Sequence, residues 1–506
     1  MAEDAENIYW GDCHVHCAVS YGYGSLERAF RLGREHLDFC SVVGHATWHD
    51  MPTDRERYAF IIDYHREGFA RLKRNWRSMQ ETVARFNQPG RFVTFLSYEW
   101  HSRAYGDHNI YYLEDDGPII EQDSLPELDA ALAGRETMII PHHIGYGKGY
   151  RGVNWEVFDA RRSPVVEIFS GHGCSERDGG PYPIYHTMGP RSHYGTAANG
   201  LALGKRFGFV AGTDHHAGYP GHYGEGRTAV YAPALTRRAI WDALRARRCY
   251  AVTGDKIRLG FHINDAPMGS EITARGPRLI RVEVQGCDAL ARIEIVKNNR
   301  PWRRVFGPPP VAADALPDPV RAKIRLEWGW GDPEGSVRWD GEVTLTEGEI
   351  LSVEPLFRGD PVLAPKADGG GAVEEDAPPH GIVGQDARRV AWFSHTRRNP
   401  HPYLAGTSGL ILDVCAPHAA ALDFHVNGRR FQIKLADLLE GSRSEFMRGW
   451  LSEAILVHRA VPSVQWETSF VFEDETPEQE TDFYYVRVAQ ENNQWAWASP
   501  IWVGAG

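Results

Sequence analysis

At 506 residues, 42% hydrophobic and 24% charged, the chain is too long for one ordinary core and too apolar for general disorder, so two or more globular domains are expected. A net charge of −12 excludes a general positive field and so argues against nucleic acid or anionic membrane as partner; the longest apolar runs, such as FVTFL at 92–96, are far too short to span a bilayer. Seven scattered Cys read as reduced thiols of a cytoplasmic protein.

The N-terminus, MAEDAENIYWGDCH, has no basic n-region and no apolar h-region, so no secretory signal is expected. It runs straight into the first of a series of strand-like segments: IYWGDCH, DFCSVVGHA, RFVTFLSYEW, HNIYYLE, TMIIPHH, VVEIFSG and GFVAGTDHH. Helical patterns at 25–37, 125–134 and 235–248, the last with Thr236 as N-cap, alternate with them through residue 255, which predicts an α/β fold over 1–256. Residues 53–88 form a helical insertion. There Tyr58, Ile62, His65, Phe69, Leu72, Trp76, Met79, Val83 and Phe86 make a heptad stripe for a helix or helical hairpin lying on the domain, or alternatively for a homo-oligomer contact. From 257 to 506 the pattern changes to alternating strands such as RLIRVEVQG, ARIEIVKN and DFYYVRVAQ, which predict a β-sandwich-like C-terminal domain. The Gly- and Pro-rich stretch 361–381 reads as a flexible loop. The aromatics of NNQWAWASPIWV suit a domain interface or a binding surface.

Nearly every strand-like run of the first half ends in His, Glu or Asp followed by a loop former, and in β/α barrels that end of the strands carries the chemistry. With 23 His, about one H-x-H pair is expected by chance, so His14 and His16 alone mean little. The ordered series is more specific. His14 and His16 share a strand face, followed by His45, Glu99, His108, the adjacent pair His142 and His143, and then Asp214 and His216 on one face. A metal hydrolase needs such imidazoles and carboxylates converging on one point. Glu167 ends a strand and could orient a ligand His. His101, His172 and His215 are candidate proton carriers or substrate contacts, while the loop residues Arg103, Lys148, Arg151, Arg191 and Arg227 could clamp an anionic group.

This order of H-x-H, strand-end His, strand-end Glu, His, apolar run with His and G-[ST]-D-x-H resembles the PHP superfamily, named for polymerase and histidinol phosphatase. The segment RTAVYAPALTRRAIWDALRARRCYAVTG is similar to the end of many such domains. FYYVRVAQENNQWAWASPIWV resembles a long-chain bacterial branch catalogued as of unknown function. The resemblance implies a distorted β/α barrel followed by the β-sandwich-like domain, divalent Zn, Mn or Fe, and phosphoester hydrolysis. It also implies a ligand set: His14, His16, Glu99 and Asp214 on one ion, Glu99 bridging to a second on His108 and His142, and His45 and His216 serving a third. Either of His142 and His143 could be the ligand, and His142 directly follows the apolar strand. A further third-ion ligand belongs where Tyr21 and Gly22 stand, so one or two tightly bound ions are expected.

The expected function is hydrolysis by a metal-bound hydroxide of a small-molecule phosphomonoester or phosphodiester, with Glu99 at the metal and His143 or His216 protonating the leaving group. A carboxylic ester, lactone or amide is the alternative substrate. A metal-containing binding protein without turnover is the alternative of another class.

Overall fold

A computed structural model describes residues 7–186, 188–330, 335–360, 379–397 and 406–505. Most of the expected loop at 361–381 lies outside the described residues. The expected strands of the first half all form. They are β1 (Asn7–Val15), β2 (Phe39–Val42), β3 (Gly44–Trp48), β4 (Val93–Thr94), β5 (Leu96–His101), β6 (His108–Tyr112), β7 (Thr137–Pro141), β8 (Val165–Ser170), β9 (Gly173–Cys174), β10 (Gly208–Ala211), β11 (Arg227–Ala232) and β12 (Cys249–Val252). The helices between them are α1 (Leu26–Gly33), α2 (Arg55–Phe86), α3 (Leu125–Ala131), α4 (Ala197–Ala202) and α5 (Arg237–Arg245). Thr236 caps α5 by accepting the Ala239 N–H, as its sequence position suggests.

These strands do not close into a barrel, and the expectation of a distorted β/α barrel is corrected here. A β/α barrel needs parallel neighbours, each pair linked by a crossover helix. Here β5, β6 and β7 pair antiparallel, and the loop between β5 and β6 is too short for a crossover. β1 pairs parallel with β2 but antiparallel with β11. The strands divide among three sheets, β4-β2-β1-β11-β12, β3-β5-β6-β7 and β10-β8-β9. Alternation of apolar residues reveals a strand but not its direction, which is why the expectation overshot.

The second half is not one sandwich either. Strands at 320–329, 349–356, 408–416, 443–446 and 454–457 form one sheet, and those at 336–345, 381–385, 389–397, 421–426 and 429–434 another. The two share a core in which Trp328 and Trp392 stack at 5.1 Å. The last strands leave this pair of sheets. Trp495–Ala498 pairs with β12 and with Thr481–Gln490, so the first sheet continues into the C-terminal segment. Its aromatics are packed, not displayed: Trp497 lies 6.1 Å from Phe169 of β8, and Tyr485 lies 5.4 Å from Phe209 of β10. The buried guanidinium of Arg487 bridges Glu176 and Glu294 across the same junction.

Helix α2 runs 32 residues, about 48 Å, and its stripe faces inward. Leu72, Met79 and Val83 join the core around β2 and β5, and Phe69 packs with Tyr21 and Trp48. Among the described residues no helix is long and apolar enough to cross a membrane.

Candidate metal centre

The site begins with two backbone segments running side by side. Beyond β1, His16 N–H donates to the His215 carbonyl and Asp214 N–H to the His14 carbonyl. This lays residues 213–216 along 14–16 and puts His14, His16, Asp214 and His216 in one place. Asp12 locks the pair of segments, accepting from Thr213 Oγ1 at 2.7 Å and from the Gly221 N–H at 2.8 Å. Gly212 makes the approach feasible, since a Cβ there would stand 2.5 Å from His14 Cβ and 2.8 Å from Glu167 Oε2. Asp214 sits at φ 55° and His143 at φ 32°, left-handed backbone of the kind that collects at functional sites.

Three ligand atoms then converge, from His14, His16 and Asp214, with Glu99 reaching them through His16. His14 Nε2 is 3.1 Å from His16 Nε2 and 3.5 Å from Asp214 Oδ1. His16 Nε2 is 3.0 Å from Asp214 Oδ1 and 3.6 Å from Glu99 Oε2. Ligands held about 2.1 Å from one tetrahedral ion lie about 3.4 Å apart, the range these contacts span. The remaining ring nitrogens set the proton positions. His14 Nδ1 faces Glu167 Oε2 at 2.9 Å, and His16 Nδ1 faces the Val43 carbonyl at 2.8 Å. Both Nδ1 atoms therefore carry hydrogen, and in the neutral rings the Nε2 atoms present lone pairs. Lone pairs facing each other and a carboxylate repel unless a cation lies among them. Burial disfavours charge on His14, yet Glu167 and Asp214 outweigh it and push its pKa up to about 10. The field that holds a proton there suits a divalent cation better, and the mixed imidazole–carboxylate set fits a transition metal.

Glu99 arrives on β5 opposite His45 of β3. Its Oε2 lies 2.7 Å from His45 Nδ1, yet Glu99 Oε2 and His45 Nε2 are both buried without a hydrogen-bond partner among the described residues. Burial raises the Glu99 pKa, but His101, His45 and His142 outweigh it, and the carboxyl stays well below its usual range. The Nδ1 of His216 donates to the Asp214 carbonyl at 2.9 Å. Ligand atoms of His16, His45 and His216 lie within 4.8 Å of one another. Tyr21, where the resemblance leads one to seek a third-ion ligand, stacks on His45 at 3.6 Å between ring centres. Glu99, Asp107, His142 and His143 form a further group of potential ligands within the same 4.8 Å limit, with His142 Nε2 3.1 Å from Glu99 Oε1. These clusters are candidate sites for a divalent metal ion.

The other candidates separate. Glu167 orients His14, and His172 joins the site through Asp214 Oδ2 at 3.1 Å and the Tyr146 hydroxyl at 3.0 Å. His101 pairs with Asp107 at 3.2 Å. His108 does not join these groups: its Nδ1 donates to the Gly106 carbonyl, and its ring faces Trp100. His215 turns away to Glu225, at 2.8 Å, and to the Asp360 carbonyl. Arg103 is exposed, and Lys148 is exposed and paired with Glu156. Arg227 is buried against Glu354 and the Gly221 carbonyl. Asp107 escaped the sequence reading because it precedes a strand, where alternation assigns no face; its neighbour His108 drew the attention. His65 of α2, 5.0 Å from Trp48 and 5.8 Å from His101, was visible only as a titratable group in an apolar stripe.

Residues 39–113 and 222–266 match a family described as a protein of unknown function, DUF3604. An uncharacterized protein of Chlamydia trachomatis is 32% identical over 322 residues, covering 59% of this chain and 49% of that one. One from Chlamydia pneumoniae is 30% identical, covering 60% and 50%. The chain thus spans about half the length of the curated relatives it matches. Among solved structures, a two-domain protein from Bacteroides vulgatus containing a predicted PHP-like metal-dependent phosphoesterase is 15% identical. That match has a TM-score of 0.34 and covers 60% of this chain and 86% of the other.

Proposed function

We propose that the chain is a metal-dependent hydrolase acting on a small-molecule phosphoester. The observation that carries this reading is the convergence of His14 Nε2, His16 Nε2 and Asp214 Oδ1, with both imidazole hydrogens turned outward and Glu99 Oε2 3.6 Å from His16 Nε2. When bound, a divalent ion supplies Lewis acidity and a water of lowered pKa. The protein side chains hold the geometry and move the proton. His172 is the best-placed proton carrier, bonded to Asp214 on one nitrogen and Tyr146 on the other, with its side chain 22% exposed. His143, 2% exposed and beside Asp107, is less able to meet a leaving group. Phosphate as the reacting group rests on the resemblance of the motif order to the PHP superfamily.

A second reading, hydrolysis of a carboxylic ester, lactone or amide, draws support from the positions of the basic residues. Arg103 and Lys148 stand out in solvent, and Arg227 is engaged with Glu354, so these three leave a phosphate group little help. A turnover panel of phosphate and carboxylate esters, with Zn, Mn and Fe added back to chelated protein, tests both. The proposal expects metal-dependent release from a phosphoester; metal-dependent release from carboxylate esters alone favours the second reading. No turnover, from protein that binds no metal, defeats both.

A further inference from the structure

We propose that the Arg151 guanidinium is the built-in second cation of this site, standing where the grouping of Glu99, Asp107, His142 and His143 would otherwise take a second metal ion. The inference rests on the metal-centre reading above and narrows it. By donor type alone, those four residues look like an ion site. Asp107, however, is already committed to a buried guanidinium.

Its Oδ1 accepts the Ser102 N–H at 3.0 Å. Its Oδ2 is 3.2 Å from His101 Nδ1 and 3.3 Å from His143 Nε2, and it forms an ion pair with Arg151 Nη2. Arg151 Nη2 also lies 2.9 Å from His101 Nδ1; a guanidinium only donates, so that ring nitrogen accepts from Arg151, and the same guanidinium clamps both His101 and Asp107 Oδ2. The carboxylate is fully buried, so an unpaired charge there would be costly. Arg151 supplies the compensation and is held in place to do so. Its backbone is left-handed at φ 69°, its Nη1 touches Met188 Sδ, and its guanidinium lies 4.9 Å over the Trp48 ring. A guanidinium does not give up its proton, so the positive charge beside Asp107 is permanent and no chelator can remove it. On the other flank, where His14, His16 and Asp214 meet, no Arg or Lys among the described residues makes a hydrogen bond or ion pair with them. On that flank a metal ion, and no arginine, is the cation this proposal expects.

The test counts ions in full-length protein. Wild type, Arg151→Ala and Arg151→Lys are stripped with chelator, equilibrated with excess Zn²⁺, desalted and analysed for zinc. The expected result is one more zinc per chain in Arg151→Ala than in wild type, and the wild-type count in Arg151→Lys. An unchanged count in folded Arg151→Ala would overturn the inference. An anomalous-scattering map of wild-type crystals grown with Zn²⁺ decides the matter even if Arg151→Ala does not fold. A peak beside His14, His16 and Asp214 with none on Asp107 supports it. Peaks at both places defeat the Arg151 inference and leave the metal centre standing, while the absence of a peak at His14, His16 and Asp214 defeats the metal-centre reading and this inference with it.

Discussion

Glu167 Oε2 accepts the Nδ1 hydrogen of His14 at 2.9 Å, and this bond decides which nitrogen of the ring looks toward Asp214. The two residues are 153 positions apart and come from β1 and β8, strands of different sheets. The orientation of the first ligand is therefore a product of tertiary packing.

Removing that acceptor should leave the ligand present but poorly aimed. Glu167→Ala is expected to weaken zinc binding by ~10–100-fold, the usual effect of losing an outer partner of a ligating His. Competition against a chromophoric chelator measures it. Unchanged affinity would mean that packing alone orients His14.

Asp214→Asn and Glu99→Gln should cost more than that ~10–100-fold range, since each alters a donor atom itself. Asn tolerates the left-handed backbone at position 214, so circular dichroism should show the fold intact while turnover disappears. Wild-type rates in either variant at saturating metal would remove that residue from the centre.

Gly212→Ala drives a methyl into His14 Cβ, at 2.5 Å, and toward Glu167 Oε2, at 2.8 Å. Neither neighbour can retreat without moving the site. A loss of about 1–3 kcal/mol in urea unfolding is expected, together with lowered zinc content. A variant as stable and as metal-replete as wild type would show the close approach to be slack.

Legibility in the sequence followed the strands. His14 with His16 and Asp214 with His216 could be read because two-residue alternation fixes a shared face, and Glu99 because it lies near the end of a strongly apolar run. Glu167 was readable as an orienting acceptor for the same reason. Asp107 sits in a loop, where no period assigns a direction; Arg151, also in a loop and left-handed in backbone, was legible as a candidate anion clamp but not as the partner of a protein carboxylate. The barrel was misread because apolar runs do not distinguish β5, β6 and β7 as antiparallel from parallel neighbours, and because the partner of β12 lies some 245 residues downstream.

Glu327 provides a pH test remote from the metal. It accepts from Thr407 Oγ1 at 2.6 Å and pairs with His458 Nε2 at 2.9 Å. Burial raises its pKa, but His458 and then Arg325 outweigh it and bring it down to about 2 from an ordinary 4.5. A depressed carboxylate contributes stability above its unfolded pKa and loses it as pH falls through the folded value. The contribution, about 3 kcal/mol at most, should therefore be whole above about pH 4.5 and fade toward pH 2. Urea midpoints of wild type and Glu327→Gln should differ most at pH 7, and the gap should narrow below about pH 4.5 and close toward pH 2. A gap that stays constant with pH would assign the difference to packing.

The pairing of Trp495–Ala498 with β12 sets the order in which this protein can be born. Some 240 residues before it reaches Trp495–Ala498, a ribosome has made β1 to β12 and every residue of the metal centre. At that moment β12 has an open edge, and the surfaces of β8 and β10 that will meet Trp497 and Tyr485 are bare. An edge of this kind invites pairing with other chains, so the nascent β1–β12 segment needs shelter until Trp495–Ala498 arrives. The chemistry is encoded before β12, but its scaffold is completed by strands more than 200 residues downstream.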